Sequence, residues 1–200
     1  MTEPIFRLLT LLVIVSALTI SGYYRKRADH CGGNASRWKE GRLSAVMLRL
    51  PAFLAFLVLF AYIAHPPWLD WARMGLPDSV RWFAAGTSTA TVGVLYWVFS
   101  SLGANVTDTV VVRPDARMVT HGPYRWIRHP LYTFGSLLWL NLSLLADLWG
   151  FVPFLAFSWI LLARRTRLEE KELLLQFGEE YRRYMDRTGR YLPRLRGPAV

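Results

Sequence analysis

An all-α integral membrane protein of about five transmembrane helices is the fold class this sequence predicts, and three observations carry it. The chain has 200 residues, 53% of them hydrophobic, and the apolar ones fall in long blocks, not in the short periodic runs of a soluble core. Residues 5–24 and 44–64 each supply about twenty mainly apolar positions, enough to span a bilayer core of roughly 30 Å. The formal net charge of +10 gathers between the blocks, as Lys and Arg do in loops kept on the cytoplasmic side.

Residues 5–24 form the first expected span. The block is long for the apolar core of a signal peptide, and a basic segment stands where a cleavage site would fall, so it reads as retained. The loop over residues 23–43 holds Arg25, Lys26, Arg27, Arg37, Lys39 and Arg42, which assigns it to the cytoplasm and the N-terminus to the outside. Gly32-Gly33-Asn34 at its centre predicts a turn. In the second span, residues 44–64, Arg49 sits near the cytoplasmic end, where its stem can snorkel to the headgroups. Pro51 is a kink that lipid-embedded helices tolerate when neighbours satisfy the freed carbonyl.

Residues 65–77 read as a short outer loop with Trp68 and Trp71 at the interface. The third span, residues 80–102, is rich in Ala, Gly, Ser and Thr, which favours close helix packing in lipid. Residues 103–121 are polar and irregular, with a β-leaning run at 109–112 and a turn at 114–116. The apolar stretch 131–163 is interrupted at Asp147-Leu-Trp-Gly150 and Pro153. Unbroken, it would make a helix of about 50 Å, too long for the membrane, so two short helices in a hairpin are expected. Arg164, Arg165 and Arg167 mark the side to which the hairpin returns as cytoplasmic. After it, residues 168–177 should be helical, Gly178 should interrupt, and a second short helix should carry Tyr181 and Tyr184. This C-terminal segment is amphipathic and basic, suited to lie on the cytoplasmic headgroups. The whole reads as one domain over 1–200: three spans in 1–102 and a motif region in 103–195.

Several function classes drop out. The basic excess lies in membrane-flanking loops, not on a nucleic-acid face. One cysteine, Cys31, excludes an internal disulfide framework. His30-Cys31 lacks the further partners that zinc's four-ligand habit requires, so no metal is expected. No Gly-x-Gly-x-x-Gly follows a strand pattern, so a soluble dinucleotide-binding fold is excluded too.

The chemistry concentrates in His121-Gly-Pro-Tyr-Arg-Trp-Ile-Arg-His-Pro-Leu-Tyr132 and in Glu169-Glu170, two polar clusters that the hairpin can bring together. Pro130 favours the first helical turn, and the residue before a proline is pushed out of helical geometry, which puts His129 at the boundary. Arg128, His129 and Tyr132 then gather at a helix N-terminus, where unpaired amides favour an anionic group. Arg165 and Glu169 share a helix face at i,i+4. Glu169 and Glu170 point about 100° apart, so one faces a pocket and the other makes a supporting or surface contact.

Together with Phe177-Gly-Glu-Glu-Tyr181, Tyr184 and Pro193, these motifs resemble the isoprenylcysteine carboxyl methyltransferase family, within a wider group that includes membrane phospholipid methyltransferases. The resemblance covers roughly residues 102 to 195. It implies S-adenosylmethionine as methyl donor and a lipidic or prenylated acceptor in the bilayer. It also implies that Tyr124, Arg128, His129, Tyr132, Glu169 and Glu170 line the cofactor pocket, with Arg165 and Glu169 at the reacting end. A carboxylate acceptor is ionised at neutral pH and needs no base. The enzyme must align it, exclude water, and hold it, a task that suits the planar fork of arginine. Two enzymatic alternatives stay open at this point. A phospholipid amine methyltransferase would need a base such as Glu169 or His129. A membrane sterol-type reductase would need cationic contacts to the NADPH 2′-phosphate, which the 164–167 cluster offers.

Overall fold

The computed structural model describes residues 2–31, 42–64, 67–103 and 118–194. Five α-helices follow in order: α1 (Glu3–Cys31), α2 (Arg42–Ala64), α3 (Asp78–Leu102), α4 (Pro130–Ala146) and α5 (Phe151–Arg187). Short 3-10 turns at Pro67–Ala72 and Gly122–Arg125 join them. Each of the predicted spans corresponds to a helix. Among the described residues, Glu3–Ala28 is long and apolar enough to cross a membrane by itself, while Phe53–Ala64 and Pro130–Ala146 are shorter apolar stretches. The turn expected at residues 32–34, the β-leaning run at 109–112, the turn at 114–116 and the Arg49 side chain lie outside what is described.

α3 sits at the centre, against α1 and α4. Its inward face is built from Ala84, Ala85, Ser88, Thr91 and Leu95. Small side chains there let α4 come close, and Asn141 of α4 reaches Thr91 Oγ1 at 3.4 Å. Beside this seam, Val13, Ile14, Leu59, Tyr62, Leu142 and Phe151 form the main apolar cluster. All five helices also carry large apolar groups outward, among them Leu8, Leu12, Phe53, Phe83, Leu140 and Ile160. Apolar surface this extensive is foreign to a water-soluble monomer.

The hairpin turns where the sequence breaks. Asp147 takes the left-handed conformation (φ 58°), which Asp tolerates better than most residues. Its carboxylate accepts hydrogen bonds from the amides of Gly75 (3.3 Å) and Leu76 (3.0 Å). The turn is thereby held to the loop before α3. The second arm is not short, however. α5 continues past the hairpin to Gly178, whose non-helical backbone (φ 54°, ψ −124°) interrupts it as expected, and a second helical stretch through Arg187 carries Tyr181 and Tyr184. Residues 164–177 are mostly Arg, Leu, Glu, Lys and Gln, good helix formers that give no reason to stop. One unbroken helix therefore runs from the hairpin to the kink at Gly178.

A second polar cluster locks the opposite end of the bundle from the α4 N-terminus. Arg81 is almost fully buried. It donates to Leu145 O (3.0 Å), Glu3 Oε2 (2.7 Å) and Tyr62 OH (2.8 Å), tying α3 to α4, α1 and α2.

Candidate active site

The motif before α4 is seated by glycine. Gly122 has φ 59°, and a Cβ there would lie 2.2 Å from Ser101 Oγ at the end of α3. The chain thus passes flush against α3, with Trp126 edge-on to Trp97. As expected, His129 precedes the helix (φ −122°, ψ 58°) and Pro130 begins it.

A C-terminal strap then crosses under the motif, and nothing in the sequence reading anticipated it. Ile127 and Gly189 form a parallel bridge. The amide of Arg128 donates to Gly189 O (2.8 Å) and that of His129 to Arg190 O (3.0 Å), while Gly189 N returns a bond to Trp126 O (3.1 Å). Thr133 Oγ1 adds a bond to Tyr191 O (2.8 Å). Only glycine fits at position 189, because a Cβ would stand 1.7 Å from Leu192 O. The amides of Arg128 and His129, just before the helix, are thus engaged by this strap. Gly189 beside the helix end was the available signal, but backbone pairing over sixty residues leaves no pattern in side-chain types.

The two acids of α5 divide as their angular separation requires. Glu169 Oε1 accepts from Tyr132 OH (2.5 Å) and from Arg165 Nε (2.9 Å), and Arg165 Nε also lies 3.1 Å from the Tyr132 oxygen. Glu170, nearly fully buried, accepts from Arg128 Nε (3.0 Å), from Arg190 Nε (3.2 Å) and from Arg190 Nη2. The Arg128 guanidinium further binds Met185 O (3.1 Å) and Thr188 O, closing the end of α5. His129 stands between the acids, its Nδ1 3.5 Å from Glu169 Oε2 and its Nε2 3.4 Å from Glu170 Oε1. Its ring lies parallel to that of Tyr132, centroids 5.6 Å apart.

Burial alone would raise the Glu170 carboxyl. The neighbouring His129 ring and the guanidinium groups of Arg190 and Arg128 outweigh it and hold the group at about 2. Burial, then the charges of Tyr184 and Glu169, pushes the Tyr124 phenol well above its ordinary range. Tyr124 is buried under the motif, and its carbonyl accepts from Tyr184 OH at 2.7 Å.

Four buried polar atoms around the acids make no hydrogen bond: His129 Nε2, which only approaches Glu170, Thr166 Oγ1, Tyr181 OH and Tyr191 OH. Buried polar groups are almost always hydrogen-bonded, so a cluster of exceptions marks a place where a ligand can satisfy them. Below Tyr132, a cavity of about 170 Å³ opens between α4 and α5, lined by Gly135, Ser136, Phe154, Ser158 and Leu162. A wholly apolar groove of about 450 Å³ lies between α2 and the start of α5, and Phe154 lines both. The structure thus gathers Arg128, His129, Tyr132, Arg165, Glu169 and Glu170, with Tyr124 beneath them. Among the described residues no group of three or more His, Cys, Asp or Glu side chains could hold a metal.

This arrangement, spanning the hairpin, is matched by one family model over residues 84–175, that of the isoprenylcysteine carboxyl methyltransferase (ICMT) family. Over residues 84–175 the chain is therefore similar to the ICMT family. The fold agrees beyond that segment: the solved eukaryotic intramembrane Ras methyltransferase ICMT superposes with a TM-score of 0.54 at 17% identity, covering 96% of this chain and 70% of that one. A protein-S-isoprenylcysteine O-methyltransferase of Tribolium castaneum is 33% identical over 85 residues, 42% of this chain and 30% of the relative. A methanethiol S-methyltransferase of Pseudomonas deceptionensis is 38% identical over 74 residues, 36% of this chain and 27% of the relative. This chain spans about a third or less of the length of these two relatives. The ICMT match stops at residue 175, before the strap that completes the site.

Proposed function

We propose that this chain is an S-adenosylmethionine-dependent membrane methyltransferase that O-methylates the carboxylate of an isoprenylcysteine-like or other lipidic amphiphile. One observation carries the reading: buried polar atoms without partners surround a paired-acid cluster at the mouth of an apolar cleft. Such a site fits a ligand that is polar, partly cationic and sheltered from water. S-adenosylmethionine, when bound, supplies a methyl group activated by its sulfonium charge.

The residues then take distinct roles. Tyr124, His129 and Tyr132 would hold the donor, and Glu169 adds the negative charge that favours a cation. Glu170 and Arg128 brace this set from behind, since each neutralises the other and both anchor the strap. Arg165, through its planar fork, orients the acceptor carboxylate toward the methyl group. It is placed for that task by Glu169 and Tyr132, which fix its Nε. The apolar cleft beside Phe154 receives the acceptor's hydrocarbon. In this reading the N-terminus lies outside and the site faces the cytoplasm, as the arginine asymmetry of the loops requires.

His129 between two carboxylates favours one second reading. That ring is positioned to take a proton, which an amine acceptor such as a phospholipid headgroup would have to lose. The test is transfer from methyl-labelled S-adenosylmethionine in nanodiscs to a prenylcysteine analogue, phosphatidylethanolamine or an alkanethiol. Preference for the prenylcysteine analogue supports carboxyl methylation. Faster labelling of the amine or the thiol replaces it with the corresponding acceptor class.

A further inference from the structure

We infer that Tyr191, on the C-terminal strap, is a further cofactor-binding residue, its hydroxyl completing the polar wall that His129 Nε2 begins. The inference rests on the S-adenosylmethionine reading above and adds to it a residue outside the segment that matches the ICMT family.

Three observations converge on this residue. First, the Tyr191 hydroxyl is buried and unpartnered, as is Nε2 of His129, a residue only 8% exposed. Their rings lie 6.1 Å apart, so the two unpartnered atoms belong to one small region. Second, the ring is held from the other side by Trp159 of α5, edge-on at 5.0 Å. Third, its backbone is fixed: Tyr191 O accepts from Thr133 Oγ1, and the residues before it pair with Arg128 and His129. A side chain so firmly placed by ring contacts and backbone does not need its hydroxyl for the fold. Phenylalanine would keep every contact named. An unsatisfied buried hydroxyl costs stability, so its retention points to a partner that arrives with the ligand.

This makes the two roles separable. If the hydroxyl serves only the fold, Tyr191→Phe lowers the melting temperature of the ligand-free protein and leaves ligand affinity unchanged. If it binds the cofactor, the ligand-free variant melts no lower than wild type, while affinity for S-adenosylhomocysteine falls about five- to tenfold, the worth of one neutral hydrogen bond. Both quantities come from the full chain in detergent or nanodiscs, by thermal unfolding without ligand and by calorimetry with S-adenosylhomocysteine. Equal affinity in wild type and variant overturns the assignment of Tyr191. Wild type that does not bind S-adenosylhomocysteine at all overturns the methyltransferase reading, and the role of Tyr191 with it.

Discussion

Replacing Glu170 by glutamine tests how the site is held together. The carboxylate lies under two guanidinium groups, with Arg128 Nε at 3.0 Å and Arg190 Nε at 3.2 Å. The Arg128 and Glu170 side chains are 9% and 5% exposed. Glutamine keeps the shape but removes the charge and turns an amide donor toward these donors. Breaking a buried ion pair from one side costs about 3–5 kcal/mol. Arg190 is 40% exposed and recovers some hydration, which points to the low end of that range. The protonation equilibrium gives a similar size: a carboxyl held at about 2 against an ordinary 4.5 corresponds to roughly 3 kcal/mol favouring the folded state. Because the folded carboxyl is the more acidic, that contribution is complete above about pH 4.5 and drains away as pH falls toward 2. Thermal unfolding of wild type and Glu170→Gln in the same detergent, over pH 2 to 7, is the assay. The variant should be several degrees less stable at neutral pH, and the difference should shrink on acidification. A variant as stable as wild type at pH 7, or a gap that does not close in acid, refutes the bracing role of Glu170.

Four further outcomes are expected. His129→Ala should weaken S-adenosylhomocysteine binding while leaving the helical content by circular dichroism intact; unchanged affinity removes His129 from the pocket. Arg165→Lys keeps a charge but loses the fork, so single-turnover methyl transfer should fall by about 10- to 150-fold, the loss of a charge-assisted contact of about 1.5–3 kcal/mol, with cofactor affinity much less affected. Glu169→Gln, in contrast, should reduce both binding and rate. For topology, a cysteine at Asp70 should react with an impermeant reagent outside sealed vesicles and native Cys31 should not; labelling of Cys31 overturns the orientation.

Much of this architecture was legible because its causes are local. The apolar blocks, the Pro130 start of α4, the break at Asp147 and the i,i+4 approach of Arg165 to Glu169 each follow from a few neighbouring residues. The continuity of α5 from the hairpin to Gly178 was missed because Arg164, Arg165 and Arg167 read as the cytoplasmic end of a span, although residues 164–177 have high helix propensity. The strap had Gly189 as its one local signal, and the Arg81 cluster had none. Arg190 meets Glu170 and Arg81 meets Glu3 across 20 and 78 residues, and neither residue type announces a partner. The division of labour between the glutamates was half visible. Helix geometry required that they point apart, and only the positions of Arg128 and Arg190 decide that Glu170 is the braced one.

The measurement that bears most directly on the central claim is calorimetric titration of the purified protein in nanodiscs with S-adenosylhomocysteine and, separately, with NADPH. The site described here predicts saturable binding of S-adenosylhomocysteine, weakened by His129→Ala, and no binding of NADPH. Binding of NADPH in its place would assign the acids and the Arg164–Arg167 cluster to a reductase. Binding of neither would contradict a cofactor site at this cluster altogether.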